Sequence, residues 1–214
     1  MTRDNYHHGD LKNALIQAGI EILAEEGVGA LSLRKAARKA GVSHAAPYAH
    51  FADKQTLIAA IAADGHEKIH ARLVAVLERW AGDPLQQLLG VVWAYVQFGL
   101  EAPDHYKITF SGAIQDEHSY PEFVETSQRN MQVLKTIVER CRAAGIVDTE
   151  GIDPELQAIS LWGVIHGLVS LIIQRQLPSD LTQRVSPEEM VVATLRQVVR
   201  VPIEMGMVSA SAKS

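Results

Sequence analysis

Two short helical segments parted by a single glycine, Gly41, most limit the folds open to this chain. The first opens after Ser32, a residue type suited to an N-cap. It sets Leu33, Ala36, Ala37 and Ala40 along one side at helical spacing and Arg34, Lys35, Arg38 and Lys39 along the other. Gly41 ends it, because glycine accepts the positive φ of a helix terminus. Ser43 then stands where it would cap a very short helix reaching about Ala49. The pair is predicted to meet at a fixed angle over a tight turn, with Val42 plugging the small core beneath.

The rest of the chain carries the same period. Leu11, Ala14, Leu15, Ala18, Ile22 and Leu23 predict a first helix that stops at Gly27. Asp53 predicts the cap of a long helix with Leu57, Ile58 and Ile61 inward. Five more helices are predicted at about 84–101, 104–114, 119–144, 153–176 and 186–206. Their breaks fall at Gly82-Asp83-Pro84, Ala102-Pro103, Tyr120-Pro121, Gly145, Asp153-Pro154, Pro178 and Pro187. Proline inside helix starts and glycine past their ends follow the asymmetry of helix termini. No stretch alternates like a strand, and Ser209–Ser214 reads as a frayed tail. The fold class is all-α, with about nine helices.

Charge is distributed unevenly. The chain's net charge is −5, yet between residues 30 and 54 five cations (Arg34, Lys35, Arg38, Lys39, Lys54) stand against one acid, Asp53. Residues 55–214 hold 13 cations and 19 acids. A basic patch on an acidic body points to one local polyanion-binding face. The single cysteine, Cys141, excludes an intramolecular disulfide and fits a reducing compartment. The N-terminus lacks the apolar core of a signal peptide. The longest apolar stretch, Ile159 to Ile173, is read as too short to span a bilayer. A cytoplasmic protein with no membrane partner is expected.

A helix, a glycine turn and a second short helix form the helix-turn-helix pattern, in which the first helix crosses the DNA backbone and the second enters the major groove. The run Leu31-Ser32-Leu33-Arg34-Lys35-Ala36-Ala37, then Gly41-Val42-Ser43, Tyr48-Ala49-His50-Phe51, Lys54 and Leu57, resembles the TetR family of bacterial repressors. About a dozen positions fall in register between Gly27 and Leu57. Farther on, Leu161-Trp162-Gly163-Val164-Ile165-His166-Gly167-Leu168 resembles the Trp and His-Gly segment of one C-terminal subgroup.

The resemblance implies a three-helix DNA-binding head over residues 1–52 and a helical effector-binding and dimerisation body over 53–208. It implies that Ser32 meets a phosphate and that Arg34 reaches a base edge or a phosphate. Ser43 and His44 would begin the recognition helix, Tyr48 would touch a phosphate, and His50 and Lys54 would lie near the backbone. The basic stripe of Arg34, Lys35, Arg38 and Lys39 lies where phosphates would run. Pro47 departs from the family's pattern, which has leucine or isoleucine there, and brings the length of that helix into question. Ala45 and Ala46 offer only apolar contact, such as to a thymine methyl. His7 and His8 are read as arm residues that could approach DNA.

The resemblance also implies a homodimer through the last two long helices. The faces expected to serve it are Leu156, Ile159, Ser160, Gly163, Gly167 and Leu171, with Met190, Val191, Leu195, Val198 and Val199. Trp93, Phe98, Tyr106, Phe110, Met131, Trp162 and His166 are candidates to line a pocket for an unknown small-molecule effector. His66 and His70 stand four apart but have no third ligand in view, and are read as solvent-facing. No catalytic, metal or cofactor site is expected, since no ligand triad, nucleophile–base pair or glycine-rich phosphate loop is present. The function read here is a repressor released from a palindromic operator by an inducer. The alternatives are an activator of the same fold and a protein-interaction module without DNA binding.

Overall fold

The computed structural model describes residues 8–149, 151–204 and 206–212. His7 lies outside them, and of His8 only the backbone is described. Ten helices follow in order: α1 (His8–Glu26), α2 (Leu33–Lys39), α3 (Lys54–Arg79), α4 (Pro84–Glu101), α5 (Pro103–Thr109), α6 (Pro121–Ala143), α7 (Pro154–Ile173), α8 (Ser179–Arg184), α9 (Pro187–Leu195) and α10 (Met207–Ala212). No strand occurs among the described residues beyond one isolated antiparallel bridge, Val147 to Val199. The helices pack into two compact units, residues 1–66 with 104–126 and residues 67–103 with 127–214.

The first unit is built on α1, α2, the leading half of α3, and α5. Leu15 and Ile22 of α1, Phe51, and Leu57, Ile58 and Ile61 of α3 are buried in one apolar cluster that Ile108 of α5 joins. The stripe expected on α2 is buried at Leu33, Ala36 and Ala37. His66 departs from expectation. It is only 7 % exposed and stands edge-on to Phe110 and Phe123, with ring centroids 5.2 and 5.5 Å away. The periodic reading missed this because α3 is buried on more than one side here: Ala62 and Ala63 pack with Phe123.

The second unit centres on α4, buried along nearly its whole length from Gln87 to Gly99. Helix α7 has two opposed apolar faces. Ala158, Leu161, Ile165 and Val169, at helical spacing, are buried. Leu156, Ile159, Val164 and Leu171 are exposed on the other side. At 20 residues, with an 18-residue window of mean hydropathy 1.9, α7 has the length and composition of a membrane-crossing helix, which the shorter stretch 159–173 does not.

Two terminal expectations need correction. The helix expected over 186–206 stops at Leu195. Beyond it the chain turns, with the Arg200 backbone N–H donating to the Ile146 carbonyl at 2.7 Å, and Pro202, which lacks an N–H, keeps Val201 from resuming the helix. Residues 209–212 of the expected tail belong to α10, in which Val208 is fully buried; Lys213 and Ser214 lie outside the described residues. Helix α5 is also shorter than expected. It ends at Thr109, ahead of Gly112 with its φ of 63°.

Candidate nucleic-acid interface

Helix α2 starts as its sequence dictates. The Ser32 backbone is extended and its Oγ accepts the Lys35 N–H at 3.2 Å. It ends in a Schellman turn. Gly41 sits at φ 71°, its N–H donates to the Arg38 carbonyl at 3.2 Å, and the Val42 N–H donates to the Ala37 carbonyl at 3.0 Å. Val42 packs on the apolar cluster, as the turn requires.

The segment after the turn is not an α-helix. Ala46–Ala49 forms a single 3-10 turn with no side-chain cap, so Ser43 does not cap it; the Ser43 carbonyl accepts the Ala46 N–H at 3.0 Å instead. Pro47, buried, contributes no N–H, while its own carbonyl accepts from both His50 and Phe51 at 2.9 Å. The turn is thereby tightened and closed within four residues.

Ser32, Arg34, Ser43, His44, Ala45 and Tyr48 are exposed, Tyr48 to 55 %. His50 is half-buried, its ring tilted against Phe51 at 6.2 Å. Lys54 is half-buried at the first residue of α3 and donates its Nζ to the Val28 carbonyl, tying α3 to the loop after α1. Lys35 pairs with Glu26, and Lys39 with Glu25 at 2.9 Å and Glu21 at 3.3 Å. The Lys35 hydrogen bond holds the Glu26 carboxyl below its ordinary range, and the Glu25 hydrogen bond raises the Lys39 ammonium. Arg38, in the same stripe, lies one turn beyond Arg34 and is likewise exposed.

The seven residues proposed for an effector pocket divide between the units. Tyr106 and Phe110 belong to the first, with rings 4.9 Å apart. Trp93, Phe98, Met131, Trp162 and His166 belong to the second. There Trp162 donates its indole N–H to the Tyr95 hydroxyl at 3.2 Å, and that hydroxyl lies 2.8 Å from Nδ1 of His166. Burial lowers the His166 pKa. Tyr95 was missed because its hydroxyl's partners are 67 and 71 residues away in sequence.

A capped helix, a Schellman turn and a short exposed segment ahead of a long helix define a helix-turn-helix head, the class that reads duplex DNA. Residues 15–61 match the family described as bacterial regulatory proteins, tetR family, and residues 88–198 match the tetracyclin repressor-like C-terminal domain. The chain belongs to the TetR family and is a DNA-binding transcriptional regulator. Among solved structures it is similar to a protein with unknown function from Rhodococcus sp. RHA1 (26 % identity, 99 % of this chain and 100 % of that one, TM-score 0.73). It shares its fold with NalD, the secondary repressor of the MexAB-OprM multidrug efflux pump in Pseudomonas aeruginosa (22 % identity, 90 % and 97 % covered, TM-score 0.65). It also shares its fold with SmeT in complex with triclosan (20 % identity, 92 % and 96 % covered, TM-score 0.67). A comparison with curated protein sequences returned no match.

Proposed function

We propose that two copies of this chain repress transcription by occupying a palindromic operator, and that a small molecule releases them. The observation that carries the DNA-binding half is the head itself. Ser32, Arg34, Ser43, His44, Ala45 and Tyr48 are all exposed on and beside the two segments that the Gly41 turn joins. Residues 1–52 serve as the reading head and 53–208 as the effector and dimer body. With Ala45 small and the second segment one turn long, direct readout rests on His44 and Arg34, supplemented by DNA shape.

The exposed face of α7 supports the dimer. Leu156, Ile159, Val164 and Leu171 leave apolar surface in water unless a partner covers it. Gly163 and Gly167 lie on that side with nothing within 4 Å of where a Cβ would stand, so a mate's helix can come close. The second expected face contributes less than the sequence suggested, because Val191 and Leu195 of α9, and Val199 beyond it, are buried in the protomer's own core. A twofold pair sets its heads about one DNA turn apart, roughly 34–36 Å. The release half is supported by the family's fold, by NalD as a repressor and by SmeT as a ligand-bound relative. Trp93, Phe98, Met131, Trp162 and His166 are the effector contacts proposed in the second unit. A ligand acts there by preferring the state in which the heads are wrongly spaced.

Selection of bound duplexes from a random pool tests this reading. The expected product is a palindrome whose affinity falls steeply with salt. A reporter under that sequence should then rise when the regulator is removed. Absence of enrichment, together with no retention of random DNA even at low salt, would leave the protein-interaction module as the better description.

A further inference from the structure

The four cations of α2 differ in their partners, although Lys39 is exposed like Arg34 and Arg38. Arg34 and Arg38, four residues apart and therefore on one ridge, are exposed, and no ion pair of theirs occurs among the described residues. Lys35 and Lys39 form the neighbouring ridge and are turned onto α1. Their side chains keep 22 % and 26 % exposure against Glu26 and against Glu21 and Glu25 respectively.

The two ridges differ in field as well as in partners. On the α1 side three carboxylates face two ammoniums, so that side carries net negative charge. A phosphate brought within a Debye length of it, roughly 8 Å at physiological ionic strength, is repelled. If Lys39 exchanged its carboxylates for a phosphate, Glu21 and Glu25 would be left facing the polyanion, so the exchange gains nothing. The arginine ridge makes no ion pair among the described residues, Arg38 acting on Glu26 only through space, and a guanidinium matches a phosphate through paired, planar hydrogen bonds.

We infer that Arg38, on the ridge it shares with Arg34, grips the DNA backbone, while Lys35 and Lys39 clamp α2 to α1 and touch no phosphate. This rests on the operator-binding reading above, adding one contact and withdrawing another.

The test is the slope of log affinity against log salt on the selected operator for wild type, R34A, R38A, R38K, K35M and K39M, with circular dichroism confirming folding. Each lost phosphate contact removes about 0.9 from the slope, or about 1.8 for a twofold complex. R38A should show that loss and R38K should restore it. K35M and K39M should keep the wild-type slope while melting at lower temperature. A wild-type slope for R38A overturns the inference, as does a loss in K35M or K39M of the size expected for R38A. Absence of any salt-dependent binding by the wild type instead ends the operator reading, and the ridge assignment with it.

Discussion

A Cβ built on Gly65 would stand 1.9 Å from Oγ1 of Thr109, inside any tolerable contact, and 3.1 Å from Nε2 of His105. Neither neighbour is free to yield. The Thr109 hydroxyl donates to the His105 carbonyl at 2.8 Å, and His105 Nε2 donates to the Ile61 carbonyl at 3.0 Å. Alanine would gain about 1 kcal/mol of helix propensity, but prying α5 from α3 costs about 1–3 kcal/mol or more. Gly65→Ala should therefore destabilise the fold by up to about 2 kcal/mol in urea denaturation. Adding Thr109→Ala should recover part of that loss, giving a clear departure from additivity. Wild-type stability for the single variant would show that the two helices separate easily.

His66 makes stability depend on pH. Burial against Phe110 and Phe123 lowers its pKa from 6.5 to about 4. The folded pKa lies below the unfolded one, so the unfolded chain takes up the proton first. The contribution is fully present above pH 6.5 and is lost as pH falls from 6.5 towards 4, by up to about 3 kcal/mol. Denaturation of wild type and His66→Gln across this range should give curves that converge as pH falls. Parallel curves would mean the imidazole titrates normally.

Ser32 serves both α2 and, in the proposed complex, a phosphate, and two substitutions separate these roles. Ser32→Ala removes the cap seen to Lys35 and should cost about 1 kcal/mol of stability. Ser32→Asp preserves the cap, since aspartate serves as well as serine, yet sets a carboxylate against the DNA. It should melt like wild type and bind operator at least tenfold more weakly. Unchanged operator affinity in Ser32→Asp would place Ser32 away from any phosphate.

The two faces of α7 should respond oppositely to charge. Leu156 and Val164 are 57 % and 55 % exposed, so Leu156→Glu and Val164→Glu should leave helicity intact and halve the sedimenting mass to that of one 23.4 kDa chain. Ile165, 2 % exposed, should unfold the protein when replaced by glutamate. Sedimentation of both surface variants at the wild-type mass would mean that the outward face is not the interface.

The parts of this architecture legible in the sequence are those governed by rules acting over one helical turn. Ser32 and Asp53 cap where expected, and Asp83 and Asp153 cap at the expected breaks. Gly41, Gly82 and Gly145 take positive φ at the predicted breaks, and the α3 residues Leu57, Ile58 and Ile61 face the core. The remainder depends on what packs against what. Periodicity marks Val191 and Leu195 as apolar but does not say whether a partner or the protomer's own core covers them. A histidine four residues from another looks solvent-facing until Phe110 and Phe123 close over it from distant segments. The α2 stripe reads as uniformly basic because its acidic partners lie on a different helix. The Pro47 turn was a partial case: the departure was visible, but not its consequence, a 3-10 turn in place of a recognition helix.

The first unit's core has a consequence for protein engineering. Leu57, Ile58, Ile61 and Ile108 share one apolar cluster with Leu15, Ile22 and Phe51. Severing the chain after residue 52 would strip that cluster of one wall. The smallest transplantable reader of DNA is thus discontinuous, needing residues up to 66 together with 104–126. Chimeras that swap operator preference should exchange both pieces at once, and a simple amino-terminal graft should yield aggregate.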